Sequence, residues 1–206
     1  MFRDRRDAAE RLADRLMHLK GENPLVLAIP RGGAPMAWHL ATALEGELDV
    51  VLVHKIGAPG SPEFAIGAVN EAGDAYLDPA ASRFSDAAVE REAERQRRVL
   101  RERREHYTPV RPPIPPDGRV VVVVDDGSAT GATMEAALRT LQGRPARLIA
   151  ALAVASEEAV ARLEPLADEV VCLEIPPNFM AVGQFFADFG QVSDEEVIAL
   201  LEQSTN

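Results

Sequence analysis

Apolar positions follow two rhythms along this chain: a spacing of three and four, and short unbroken runs. From Arg5 to Leu19, Ala9, Leu12, Leu16 and Leu19 share one helical stripe, which Gly21 and Pro24 end. "PLVLAIP" (24–30) is a continuous apolar run of the kind a strand covered on both faces requires. "RGG" follows, then a helix expected from Ala34 to about Glu45. A second buried run, "DVVLVHK", covers Asp49 to Lys55. Strand, helix, strand in that order is a parallel crossover unit.

Residues 56–118 break the rhythm. Phe64 to Asn70 is expected to return through "EAGD" to Tyr76 and Leu77 as a hairpin. An arginine-rich helix follows, and "TPVRPPIPPDG" stops it because proline lacks the helical N–H. Excursions of this length in compact domains are usually lids or binding loops. The pattern then resumes with a strand at Arg119–Val124, a helix at about Gly131–Leu141 and a strand at Arg147–Val154. A helix at Glu157–Leu166, a strand at Glu169–Leu173, an aromatic tail "IPPNFMAVGQFFADFGQ" and a last helix at Asp194–Glu202 complete it. The reading is one α/β domain over 1–206, with a core of about 24–174, an insertion of about 56–118 and a hood from 1–23 and 175–190. Its five core strands form a doubly wound, mainly parallel sheet, ordered 2-1-3-4-5.

Composition narrows the classes. Hydrophobic residues make up 47% of 206, enough for a core, and the net charge of −11 argues against a general nucleic-acid binder. Eight of the twenty arginines lie between Arg83 and Arg104, interleaved with Glu90, Glu92, Glu94, Glu102 and Glu105. That fits a solvated helix held by ion pairs, or a lid offering arginines to an anion. Cys172, the single cysteine, sits in an apolar run as a small buried hydrophobe. With no apolar leader and no membrane-length run, the expected location is the cytoplasm. Trp38, His18 and His39 are read as structural, and His54 and His106 as without a positioned role.

The chemistry concentrates in "VVVVVDDGSATGAT" (120–133), where five valines run into two aspartates and a loop of small residues. The helix that follows has unpartnered N–H groups at its start, and small residues let an anion approach them. Asp125 and Asp126 would repel a phosphate, so they must face something neutral or cationic beside it. A ribose 5-phosphate meets both demands, its hydroxyls on the carboxylates and its phosphate on the loop. A Walker loop would need a lysine after the second glycine, and a dinucleotide fingerprint would place pyrophosphate where the acids stand.

This segment resembles the phosphoribosyl pyrophosphate signature of type I phosphoribosyltransferases, with a weaker likeness in the tail to the hypoxanthine–guanine branch. The resemblance implies displacement of pyrophosphate from phosphoribosyl pyrophosphate by a nitrogen acceptor, usually a nucleobase, with Mg²⁺ as cofactor. It assigns the sugar to Asp125 and Asp126 and the 5′-phosphate to Gly127, Ser128, Ala129, Thr130, Gly131, Ala132 and Thr133. "AIPRGG" is similar to the pyrophosphate loop, so Arg31, Gly32 and Gly33 would hold the leaving group, and a cis Pro30–Arg31 bond is expected. Lys55 is a candidate second cation. Phe179 would stack on the acceptor, and Asp188 would reach the metal through water. The implied partners are small molecules, neither nucleic acid nor membrane, with room for a homodimer. The alternatives are a domain that binds phosphoribosyl pyrophosphate or a nucleotide without turnover, and a receiver-like regulator.

Overall fold

The computed structural model describes residues 1–204. Its main sheet has five parallel strands: β1 (Leu25–Ala28), β2 (Glu47–Val50), β6 (Val120–Ser128), β7 (Arg147–Ala155) and β8 (Glu169–Glu174). The order is β2-β1-β6-β7-β8, the expected 2-1-3-4-5 with the insertion's strands counted in. Alternation along β6 divides the core in two. Val122 and Val124 face the side covered by α1 (Arg5–Leu16), α2 (Gly33–Leu44) and α6 (Asp194–Gln203). Val121 and Val123 face α4 (Ala132–Leu141) and α5 (Glu157–Leu163).

Helix ends follow local chemistry. Asp4 caps α1 by accepting from Asp7 N at 2.8 Å, and Ala9, Leu12 and Leu16 are buried as their stripe requires. Ser193 and Glu196 form a reciprocal capping box at α6. Leu19 and Leu166 lie on single 3₁₀ turns that finish α1 and α5.

Two strand assignments change. "DVVLVHK" is not one strand: β2 stops at Val50, and Val53–Ala58 (β3) opens a separate antiparallel sheet with β4 (Ser61–Asn70) and β5 (Ala75–Leu77). The excursion therefore begins at Val53, and Lys55 lies on it rather than at the end of a core strand. β6, in turn, does not stop at Val124. It continues through both aspartates to Ser128, because β7 is long enough to pair with it as far as Ser128↔Ala155.

The arginine-rich helix α3 (Asp86–Arg104) packs Val89, Ala93 and Leu100 into the core. Arginines pair along the helix, the exposed Arg95 with Glu92 at 2.7 Å and the largely covered Arg97 with Glu90 at 2.6 Å. Arg104, at its end, is buried against Asp49 of β2 at 2.8 Å. Arg111 Nε donates to Leu48 O, and Ile114 N donates to Asp49 Oδ2. Side chains and loop thus satisfy the free edge of β2, which would otherwise expose a row of unpaired polar groups.

Candidate functional site

β1 and β6 are neighbours in register, Ala28 opposite Val124, so the turns leaving their C-terminal ends rise together from the switch point of the sheet. The ladder runs one bond further, Ile29 N to Val124 O at 2.9 Å. The Pro30–Arg31 bond is cis, as the resemblance implies. The glycines that follow are required by contact. A Cβ on Gly32 would overlap the Asp126 carboxylate, and one on Gly33 would overlap Val124 O. The turn at 30–33 therefore lies directly on β6 at Val124–Asp126.

The loop after β6 leads into the N-terminus of α4. Gly131 takes φ 75° at the N-cap of α4, a conformation that costs glycine little. Ser128 Oγ accepts from Gly131 N at 2.9 Å, and Thr130 Oγ1 accepts from Ala132 N at 3.4 Å. These hydroxyls sit on N–H groups that an incoming phosphate would compete for. Ser156 Oγ donates to Ala129 O at 2.7 Å and ties the loop to the end of β7. Gly127 lies against Val154 and Val182, while Thr133 is exposed on the first turn of α4.

The two aspartates are unlike, which their adjacency in sequence conceals. Strand alternation places Asp126 on the α1 side and Asp125 on the α4 side. Asp126 is buried, and its Oδ2 accepts from Arg5 Nε at 2.9 Å and Nη2 at 2.8 Å. Asp125 is half-buried, and its Oδ1 accepts from Asp126 N at 2.9 Å. Burial pushes both carboxyls upward. The neighbouring Asp126 raises Asp125 further, while Arg5 opposes the rise at Asp126.

Arg5 had no motif to announce it; it lies 121 positions from its partner. A second contact unforeseen in the sequence holds Arg31. Its half-exposed guanidinium stands 3.6 Å from Asp194 Oδ2 in the first turn of α6. Tyr107 OH donates to Asp194 Oδ1 at 2.8 Å, and burial with that acid neighbour pushes the phenol up to about 12.

The remaining expected residues scatter. Lys55 is exposed and lines a small cavity with Val53, His54, Thr133 and Ala136, on the phosphate-loop side. Phe179 is part-buried against the core, its ring 5.3 Å from Phe185. Asp188 is exposed, and its backbone N–H donates to Arg3 O. Among the described residues no cluster of three acidic, His or Cys groups could hold a metal. His54 and His106 are exposed, with only backbone carbonyls beside their rings. Cys172 is half-buried rather than buried, since β8 is the sheet's edge, and its thiol is pushed up to about 11 by burial.

A larger cavity of about 400 Å³ lies off the crevice, between the end of α3, the 113–116 loop and Leu141. It encloses the Asp49–Arg104–Glu71 cluster and none of the loop residues above. No helix among the described residues is long and apolar enough to cross a membrane.

Comparison with known proteins places this geometry. The model of the phosphoribosyl transferase domain matches residues 3–189. Provisionally named phosphoribosyl transferases from two strains of Mycobacterium tuberculosis are 42% identical over 208 residues, 99% of this chain and 47% of theirs. The chain thus spans about half the length of these curated relatives. The crystal structure of TT1426 from Thermus thermophilus is 55% identical with a TM-score of 0.90, over 98% of each chain.

Proposed function

The chain belongs to the phosphoribosyl transferase domain family, and from that premise we propose that it moves a 5-phosphoribosyl group from phosphoribosyl pyrophosphate to a nitrogen acceptor, a nucleobase in the simplest case, releasing pyrophosphate. One observation carries this reading: the turns that follow two adjacent strands, 30–33 and 127–133, meet at a carboxylate. Gly32 touches Asp126, and the Gly127–Thr133 loop follows Asp126 directly. A sugar bearing phosphate groups at both ends spans such a crevice.

In this reading the 5′-phosphate takes the N–H groups that Ser128 and Thr130 now occupy, at the positive end of α4. The ribose hydroxyls donate to the oxygens of Asp126 and Asp125 that Arg5 and the backbone leave available. As the bond to pyrophosphate lengthens, positive charge grows on the ring. The adjacent carboxylates stabilise it without reorganising. Arg31 leaves Asp194 for the departing pyrophosphate, whose oxygens also meet the Gly32 amide, while Gly33 N, which donates to Ile29 O at 3.1 Å, holds the turn. A magnesium ion would neutralise pyrophosphate charge, held mainly by substrate oxygens and water, with Asp188 as the candidate protein contact through water. Lys55 supplies a mobile cation on the phosphate side. Phe179 is the candidate face for the acceptor ring.

The test is calorimetric titration with magnesium phosphoribosyl pyrophosphate, followed by pyrophosphate release over a panel of bases. Binding and release are expected, and Asp125→Asn with Asp126→Asn should abolish release while the fold persists. Binding without release on any base would instead support a domain that senses its ligand. Turnover surviving the double substitution would refute the roles given to the acids.

A further inference from the structure

Arg5 is held more completely than a surface ion pair would be. Its Nε and Nη2 both donate to one oxygen of Asp126, Oδ2, and its Nη1 donates to Gly190 O at 2.7 Å. Its guanidinium carbon lies 4.0 Å from the centroid of the Phe189 ring. Phe189 stacks on Phe186 at 5.0 Å, and Phe186 meets Phe2 at 5.2 Å. Backbone bonds join the same two segments, Phe2 N to Phe185 O at 2.7 Å and Ala187 N to Phe2 O at 2.9 Å. The side chains of Arg5 and Asp126 are 13% and 11% exposed, too little for bulk water to replace the pair. Gly32 crowds the same carboxylate, nearest its Oδ2, and no side chain would fit there.

We propose that Arg5 is a positioning residue for the ribose site, pinning Oδ2 of Asp126 so that Oδ1 is presented to the sugar. The inference rests on the phosphoribosyl pyrophosphate reading above and extends it to a residue of the N-terminal helix. A carboxylate with both oxygens free could rotate. A fork clamped to one oxygen removes that freedom, since a planar guanidinium fixes direction as well as charge. The charged groups around Asp126 are Arg5 from α1, Asp125 from β6, and Arg31 beside Gly32, itself paired with Asp194 of α6. Asp188 of the tail points its backbone, rather than a bound carboxylate, toward the N-terminal segment.

The contrast with Arg31 gives the two ion pairs different roles. Arg31–Asp194 is half-exposed at 3.6 Å and separates readily when a more strongly charged anion arrives. Arg5–Asp126 is buried and tied at three points, so it persists through binding. The N-terminal helix and the aromatic tail consequently belong to the sugar site, not merely to a cover over it.

Titration calorimetry on the full chain tests this with two probes, magnesium phosphoribosyl pyrophosphate and magnesium pyrophosphate. Arg5→Gln should weaken the first at least tenfold and the second less than twofold, because pyrophosphate alone needs no Asp126. Arg5→Lys keeps the charge without the fork and should fall between Arg5→Gln and the parent; it also serves if Arg5→Gln folds poorly. Asp126→Asn combined with Arg5→Gln should bind no more weakly than Asp126→Asn alone. Unchanged phosphoribosyl pyrophosphate affinity in Arg5→Gln, or an equal loss of both probes, overturns the positioning role while leaving the proposed function standing. A parent protein that binds neither probe overturns the function and this inference together.

Discussion

Gly32 shows how much a single missing side chain can decide. Its neighbour, the Asp126 carboxylate, cannot swing aside freely, because Arg5 holds Oδ2, the oxygen nearest Gly32. Gly32→Ala should therefore dislodge the carboxylate rather than be absorbed. We expect phosphoribosyl pyrophosphate affinity to fall about 100-fold, or about 3 kcal/mol, measured by titration against the parent. Affinity within threefold of the parent would show that Asp126 is not pinned. The need for glycine here was visible in "PRGG" only as a tight turn; the obstacle itself comes from a strand more than 90 positions away.

Among the elements, the excursion departs furthest from a simple reading. Its arginine-rich helix reads as a solvated face or a mobile arm, and three of its arginines, Arg95, Arg97 and Arg101, do pair along the helix. The last, Arg104, instead turns inward to Asp49, Val50 O and Arg111 O, which anchors the excursion to the edge of β2. Removing it leaves Asp49 and Glu71 buried without their cation. Arg104→Met should cost roughly 3–5 kcal/mol in chemical denaturation. A loss under about 1 kcal/mol would mean that the cluster adds little. Periodicity identified the helix and the hairpin, since both follow from nearest neighbours along the chain. It missed the break at Val51–Leu52, because an unbroken apolar run looks alike whether one sheet or two receive it.

Over the whole molecule, the Glu71 carboxyl couples stability to pH. Burial pushes it up from 4.5 to about 7, and its backbone hydrogen bonds and Arg104, 3.7 Å away, only partly offset the lost hydration. The folded state thus binds this proton more tightly than the unfolded chain. The associated stability is complete below about pH 4.5 and is lost as pH rises through about 7. At about 1.4 kcal/mol per tenfold change in proton affinity, the loss is about 3 kcal/mol. Unfolding free energies should decline from pH 5 to 8, and Glu71→Gln should flatten that decline. Parallel profiles for parent and variant would assign the slope to other groups, such as Asp49, whose carboxyl burial also raises.

Local order is legible in the chain itself. Five apolar runs with helices between them specify a doubly wound sheet, because strand and helix periods and chain connectivity are properties of short segments. The Asp-Asp-Gly loop and the Pro-Arg-Gly-Gly turn stand out as candidate anion sites for the same reason: backbone geometry and charge lie within a dozen residues. Partnership across the fold was not encoded in that way. Arg5 on Asp126, Asp194 on Arg31 and Arg104 on Asp49 join residues between 55 and 163 positions apart. A charged side chain carries no local sign of which opposite charge it will meet, so only the packing of α1, α3 and α6 on the sheet settles those pairs.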